Sequence, residues 1–237
     1  MPKIWDISPP INAQSPVFPG DTAYQQTWCA TIGPDCPVNV SAITLSPHVG
    51  AHADAPLHYD PSGRSIGEVP LDAFIGPCRV IHAIGCGPLI EWRHLEHALG
   101  AQPSDRAPTT SSAQVRNDPR YGKASASGSL PERVLVRVYE RMPQGAFDNT
   151  LPAFAPETIE RLADCGVKLI GIDSASIDPA DSKALLSHQV IRQRGLRVLE
   201  NLLLDDIPEG DYELIALPLK LTTADASPVR AILRELT

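Results

Sequence analysis

Three of the chain's seven histidines and one aspartate fall within a single short stretch, Pro47-His48-Val49-Gly50-Ala51-His52-Ala53-Asp54-Ala55-Pro56-Leu57-His58-Tyr59. Imidazole nitrogens and a carboxylate suit a divalent cation such as Zn²⁺, Mn²⁺ or Fe²⁺, with bonds of about 2.0–2.2 Å. Pro47, Gly50 and Pro56 argue against a helix, so the spacing of His48 and His52 is not the helical motif of zinc proteases. In extended backbone, residues two apart point to the same side. His48, His52, Asp54 and His58 share one parity and can converge. Asp54 alone offers two oxygens that could bridge two ions, and Gly50 leaves room for the backbone to pass close to one. The competing reading is a set of turn-capping or packed neutral imidazoles. Burying four such groups side by side without a cation would leave their desolvation uncompensated, which favours a metal. His82, in a strand candidate, and His94 and His97, in a polar helix, keep the plain structural reading.

Periodicity gives the elements that must hold these residues. Short β-type runs joined by proline-stiffened turns fill the first third, with residues 38–45 the clearest strand. Residues 79–84, 133–139, 167–172 and 212–219 also read as strands. Residues 91–99 form a short amphipathic helix on Trp92, Leu95 and Leu99, stopped by Gly100. A second helix opens at Pro156, whose fixed φ suits a first turn, and ends at Gly166; residues 181–194 are expected to be helical, and 229–236 fit either state. Strands alternating with helices give an α/β fold. Residues 101–129, rich in Ser, Ala, Thr, Pro and Arg, predict a mobile surface insertion, either an active-site lid or a tolerated loop.

Length and composition fit one folded domain: 237 residues, 43% hydrophobic and 20% charged. A net charge of -8 with no Lys/Arg-rich run argues against nucleic acid and anionic membranes and for a neutral or zwitterionic small molecule. No apolar run approaches the ~20 residues that cross a bilayer, and the N-terminus lacks a signal-peptide core, so a cytoplasmic protein is expected. The five cysteines form no C-x-x-C pair and are odd in number, which predicts reduced thiols, with Cys78 packed in an apolar run and no catalytic cysteine.

The stretch from His48 to His58 resembles the H-x-G-T-H-x-D-x-P-x-H signature of the cyclase-like metal-dependent hydrolases, with Ala51 where threonine is usual. Within that family the likeness is greatest to the bacterial kynurenine formamidases. It is carried by Trp5-Asp6-Ile7-Ser8-Pro9, Val17-Phe18-Pro19-Gly20-Asp21, Asn39-Val40, Leu45-Ser46-Pro47-His48, Gly171-Ile172-Asp173 and Leu217-Pro218-Leu219. The resemblance implies a compact α/β domain of the swivelling β/β/α type, with a mixed β-barrel-like sheet flanked by helices, and a homodimer. It implies two zinc ions per subunit, with manganese as the alternative. His48, His52 and Asp54 would serve one ion, Asp54 would bridge, and His188 and Glu200 would complete the pair. Phe18 would lie against the substrate ring and His58 would carry a proton. The implied reaction is hydrolysis of N-formyl-L-kynurenine to L-kynurenine and formate in tryptophan degradation. Two alternatives stay open: another small amide, such as a cyclic imide or isatin-like lactam, and a non-catalytic metal-binding protein. The departure from the family is the 101–129 stretch, where relatives have a shorter connection.

Overall fold

The computed structural model describes residues 2–99 and 130–236, so the expected insertion at 101–129 lies outside the described residues, as does Gly100. In chain order the strands are β1 (Ile4–Asp6), β2 (Gln25–Ala30), β3 (Val40–Thr44), β4 (His52–Asp54), β5 (Ile75–His82), β6 (Leu89–Ile90), β7 (Arg133–Arg137), β8 (Ala153–Phe154), β9 (Leu169–Ile172), β10 (Arg197–Glu200), β11 (Gly210–Ile215), β12 (Ala226–Pro228) and β13 (Ile232–Arg234). The helices are α1 (Pro56–Tyr59), α2 (Glu96–Leu99), α3 (Pro156–Asp164) and α4 (Leu186–Arg194).

Nine strands form one curled, mixed sheet in the order β1-β13-β11-β5-β7-β9-β10-β4-β12. Its centre, β5-β7-β9-β10, is parallel, and the flanking pairs are antiparallel. The parallel centre explains why these strands read as continuous apolar runs: both faces are covered, and β9 is buried at every position. Alternate residues serve two cores. Leu135, Leu169 and Leu199 point to one, with Phe74, Tyr212 and Leu233. Val134, Val136, Ile170, Ile172 and Val198 point to the other, where Ile159 and Leu162 of α3 and Val190 and Ile191 of α4 cover them. Each fully buried side chain of this size contributes about 1.5–3 kcal/mol. Gly171 sits where β9 passes closest to its neighbours, since a Cβ there would collide with the Leu135 and Leu202 side chains.

Proline at the first turn starts α3 as expected, and Gly166 beyond its end is left-handed at φ 90°. The expected helix at 91–99 divides into a 3₁₀ turn, Trp92–His94, and α2, with Trp92, Leu95 and Leu99 buried as the pattern required. The expected helix at 181–194 begins only at Leu186. Leu185 is left-handed (φ 47°), and the residues before it follow an irregular path, which places the helix start within reach of a distant carboxylate, Asp178. The strand expected over 212–219 ends at Ile215, and the undecided 229–236 segment contains β13. β2 and β3 form a separate two-stranded sheet that leaves Trp28, Val40 and Ile43 exposed. Among the described residues no helix is long and apolar enough to cross a membrane.

Candidate metal centre

β4 lies between β10 and β12, and that register builds the site. Glu200 pairs directly with His52, and Val198 with Asp54. Ala51, Ala53 and Ala55 turn into one core, so His52 and Asp54 turn the other way, onto the side that Glu200 shares. α4 covers that side and supplies His188. His52, Asp54, His188 and Glu200 are all buried. Alternating parity therefore accounts for His52 and Asp54. His48 and His58 arrive differently: His48 sits on the turn before β4, and His58 on α1, which opens at Pro56 because proline is tolerated at the first helical position. The extended chain expected from 48 to 58 is confined to the three residues of β4. Gly50 also has another reason than the one expected. It is left-handed at φ 70°, and the space a Cβ would occupy is filled by the Ile11 side chain at 2.7 Å.

The two oxygens of Asp54 face different imidazoles. Oδ1 lies 3.2 Å from His48 Nδ1 and 3.5 Å from His52 Nε2, and Oδ2 lies 3.4 Å from His188 Nε2. Glu200 closes the group, with Oε2 3.3 Å from His52 Nε2 and Oε1 3.6 Å from His188 Nε2. Each of these three rings has its outer nitrogen occupied. His52 Nδ1 donates to the Gly50 carbonyl at 2.9 Å, His188 Nδ1 to Asp178 Oδ2 at 2.7 Å, and His48 Nε2 to Asp225 Oδ2 at 3.1 Å. Once the rings are neutral, as metal ligation requires, those acceptors assign the tautomers and aim the inner nitrogens at Asp54 and Glu200, the arrangement that outer hydrogen bonds impose on metal-ligating histidines. His52 Nε2 and Asp54 Oδ1 are fully enclosed, and neither has an aligned hydrogen-bond partner despite their proximity. Leaving such groups unsatisfied costs several kcal/mol, and a cation between them would satisfy both.

The charges point the same way. Burial pulls the His48 and His188 imidazoliums down, but the Asp225 and Asp54 carboxylates beside His48, and Asp178, Asp54 and Glu200 beside His188, overcome it and raise both to about 10. Asp54 is pushed up by burial, yet His188 and His48 hold it well below the usual carboxylate range. Asp178 and Asp225 are likewise lowered, the first against burial by His188 and two backbone N–H groups, the second chiefly by His48. Three ionised carboxylates thus face two imidazoliums, before Glu200 is counted. The surplus is negative, as a divalent-cation site requires.

The centre opens into a cleft of about 440 Å³. Phe18 lines it and meets Phe147 edge-on, with ring centroids 5.0 Å apart. Asp173, at the end of β9, accepts the backbone N–H groups of Val138 and Tyr139, while burial raises its carboxyl to about 7. Tyr139 donates its hydroxyl to Asp148 at 2.8 Å. His58 lines the same cleft, with Nδ1 3.2 Å from Asp225 Oδ2.

The structure therefore gathers His48, His52, Asp54, His58, His188, Glu200 and Phe18 around one cleft. Sequence reasoning missed Asp178, Asp225 and Phe147. Asp178 precedes His188 by ten residues and Asp225 follows His48 by 177, so no local spacing marks either. Phe147 lies in an irregular segment without periodicity. His82, which donates to the Ile207 carbonyl, and His97, paired with Glu209, have the structural roles expected of them.

A family model described as "Putative cyclase" matches residues 5–179, a span that includes Phe18, His48, His52, Asp54 and His58. The chain belongs to the cyclase family. Within it, the kynurenine formamidase of Paracidovorax citrulli is 69% identical over 231 residues, covering 98% of this chain and 96% of that protein. A predicted metal-dependent hydrolase from Bacillus stearothermophilus superposes with a TM-score of 0.73 at 26% identity, with both chains covered completely. Isatin hydrolase A from Labrenzia aggregata gives a TM-score of 0.74 at 22% identity, covering 100% of this chain and 94% of that one, a likeness of fold alone.

Proposed function

We propose that this protein hydrolyses N-formyl-L-kynurenine to L-kynurenine and formate. The observation that carries the proposal is the placement of Asp54, whose two oxygens face His48 and His52 on one side and His188 on the other, in a chain 69% identical to a kynurenine formamidase across nearly its whole length. The donor set fits two divalent cations, zinc or alternatively manganese: His48, His52 and Asp54 would hold one, and Asp54, His188 and Glu200 the other. When bound, such ions supply a water ionised near neutral pH and positive charge for the oxygen that becomes negative as the formyl carbon is attacked.

The chain's own groups do the rest. Phe18, with Phe147 behind it, offers an aromatic wall to the aryl ring and so places the formamide over Asp54. His58, partly exposed at the mouth of the centre, can take a proton at its Nε2 and return it to the departing aniline nitrogen. The buried alanine strand and α4 keep bulk water from the inner side. Asp148 and Asp21 line the cleft, which has no lysine or arginine among its described lining residues; the cleft therefore suits a substrate with an ammonium group.

Self-association as a homodimer belongs to the same proposal and is supported by the exposed Trp28, Val40 and Ile43 of the β2–β3 hairpin. A cytoplasmic location is supported by Cys29, Cys36, Cys78 and Cys86, which stand as thiols. The alternative substrate, an isatin-like lactam, rests on a likeness of fold alone. Steady-state rates of zinc-loaded protein on formyl-kynurenine, isatin and a cyclic imide decide between them. A kcat/KM at least ~10²-fold higher for formyl-kynurenine is expected, and a cyclic amide as the better substrate would overturn the assignment.

A further inference from the structure

His48 and His58 are joined through a single atom. Asp225 Oδ2 lies 3.1 Å from His48 Nε2 and 3.2 Å from His58 Nδ1, and the two rings are 4.4 Å apart. The position of Asp225 comes from backbone rather than from these contacts. Ala226, the next residue, pairs with Asp54 in the β12–β4 ladder, the Ala55 N–H donates to the Asp225 carbonyl at 2.8 Å, and the Ile66 N–H donates to the Ala224 carbonyl at 2.9 Å. The Asp225 backbone is thus anchored on both sides, independently of the contacts its carboxylate makes.

We infer that Asp225 is a positioning residue that sets the tautomers of two imidazoles at once, aiming His48 Nδ1 inward at Asp54 and leaving His58 Nε2 free for the proton it carries. Each ring has one N–H when neutral, and a carboxylate can only accept. Both rings must then place that N–H on the Asp225 side. For His48 the bare nitrogen is the one 3.2 Å from Asp54 Oδ1, the position a metal ligand needs. For His58 the bare nitrogen is Nε2, which can accept a proton and release it again with no net change in the ring. Without Asp225, either ring can carry its hydrogen on the wrong nitrogen. His48 would then bind an ion less well, and His58 would spend part of its time unable to accept.

The inference rests on the formamidase reading for the role of His58, but its test does not depend on substrate. Long-range ¹H–¹⁵N spectra of the metal-free full chain, recorded above the value of about 10 to which His48 is raised so that its ring is neutral, report imidazole tautomers, with His48 and His58 assigned from His→Gln variants. Zinc affinity is measured by competition with a chromophoric chelator. In Asp225→Ala both rings are expected to become tautomer mixtures, zinc affinity to fall ~10–100-fold, and kcat to fall ~10-fold or more with KM nearly unchanged. Asp225→Asn keeps an oxygen acceptor without the charge and should lie between the two, and it serves the same purpose if the alanine variant does not fold. Unchanged tautomers, or a change at only one ring, would overturn the shared role. If the tautomers and zinc affinity shift while the parent protein does not hydrolyse formyl-kynurenine, the substrate assignment fails and the positioning role stands.

Discussion

His52 and Glu200 lie directly opposite one another on β4 and β10, with Nε2 3.3 Å from Oε2. The pairing joins a residue that the metal-like sequence pattern marks to one that no pattern marks, 148 positions away. Strand register, rather than loop geometry, sets the distance between them. A site fixed this way is rigid, which is what precise placement of a cation demands.

Asp54 is the residue whose loss should be most severe. Its side chain is fully buried and faces three imidazoles. Asp54→Asn keeps the shape and removes the charge, so metal content per subunit should fall and turnover should drop by ~10³-fold or more. Elemental analysis alongside kcat checks this. Full metal content with near-native activity would rule out a bridging role.

Replacing His58 should separate proton transfer from metal binding. Its ring is about one-third exposed and lies 3.2 Å from Asp225, with Asp54 farther off but within 4.8 Å. His58→Ala should keep its metal and lose ~10²–10⁴-fold in rate. Loss of metal together with activity would instead make His58 a ligand beside His48 and Asp54, whose ligand atoms lie within 4.8 Å of it.

Removal of metal should destabilise the protein by an amount that depends on pH. In the metal-free protein His48 and His188 are raised from 6.5 to about 10 by their carboxylate neighbours. The stability they contribute is therefore fully present below about pH 6.5 and is lost as pH rises towards 10. The metal-loaded form needs these rings neutral and gains as protons leave. The gap in melting temperature between loaded and chelator-treated protein should widen from pH 6 to pH 9. A constant gap would show that these imidazoles do not exchange protons for metal.

Phe147 should matter for binding more than for chemistry. It touches Phe18 edge-on at 5.0 Å and lies in the same cleft wall. Such aromatic contacts are worth about 0.5–1.5 kcal/mol beyond the area they bury. Phe147→Ala should raise KM for an aryl formamide ~10-fold with a small change in kcat. An unchanged KM would place the aryl ring elsewhere.

Local chemistry in the chain forecast what local chemistry governs. Pro156 and Gly166 bound α3, the apolar runs at 79–84, 133–139 and 167–172 became the central parallel strands, and the His-Asp stretch lies in the centre. Residues placed by long-range pairing were not readable from spacing. His188 and Glu200 entered only through family likeness, and Asp178 and Asp225 not at all, because register and helix docking bring them in. The late start of α4 has the same cause. Asp178 satisfies the Ser187 and His188 N–H groups at 2.9 and 3.0 Å, a cap supplied from eight residues before the helix, where no adjacent capping residue signals it.

The place of β4 between β10 and β12 also orders events as the chain folds. His48, His52 and Asp54 are synthesised early, but the partners of β4 come 144–148 residues later in β10 and 172–176 residues later in β12. Closing loops of that length is entropically slow, and pairings so distant in sequence form late. If His48, His52, Asp54, His188 and Glu200 are the metal donors proposed, filling the site would mark the completion of folding: a nascent or partly folded chain offers only the local cluster, whereas the finished sheet and α4 bring all five together.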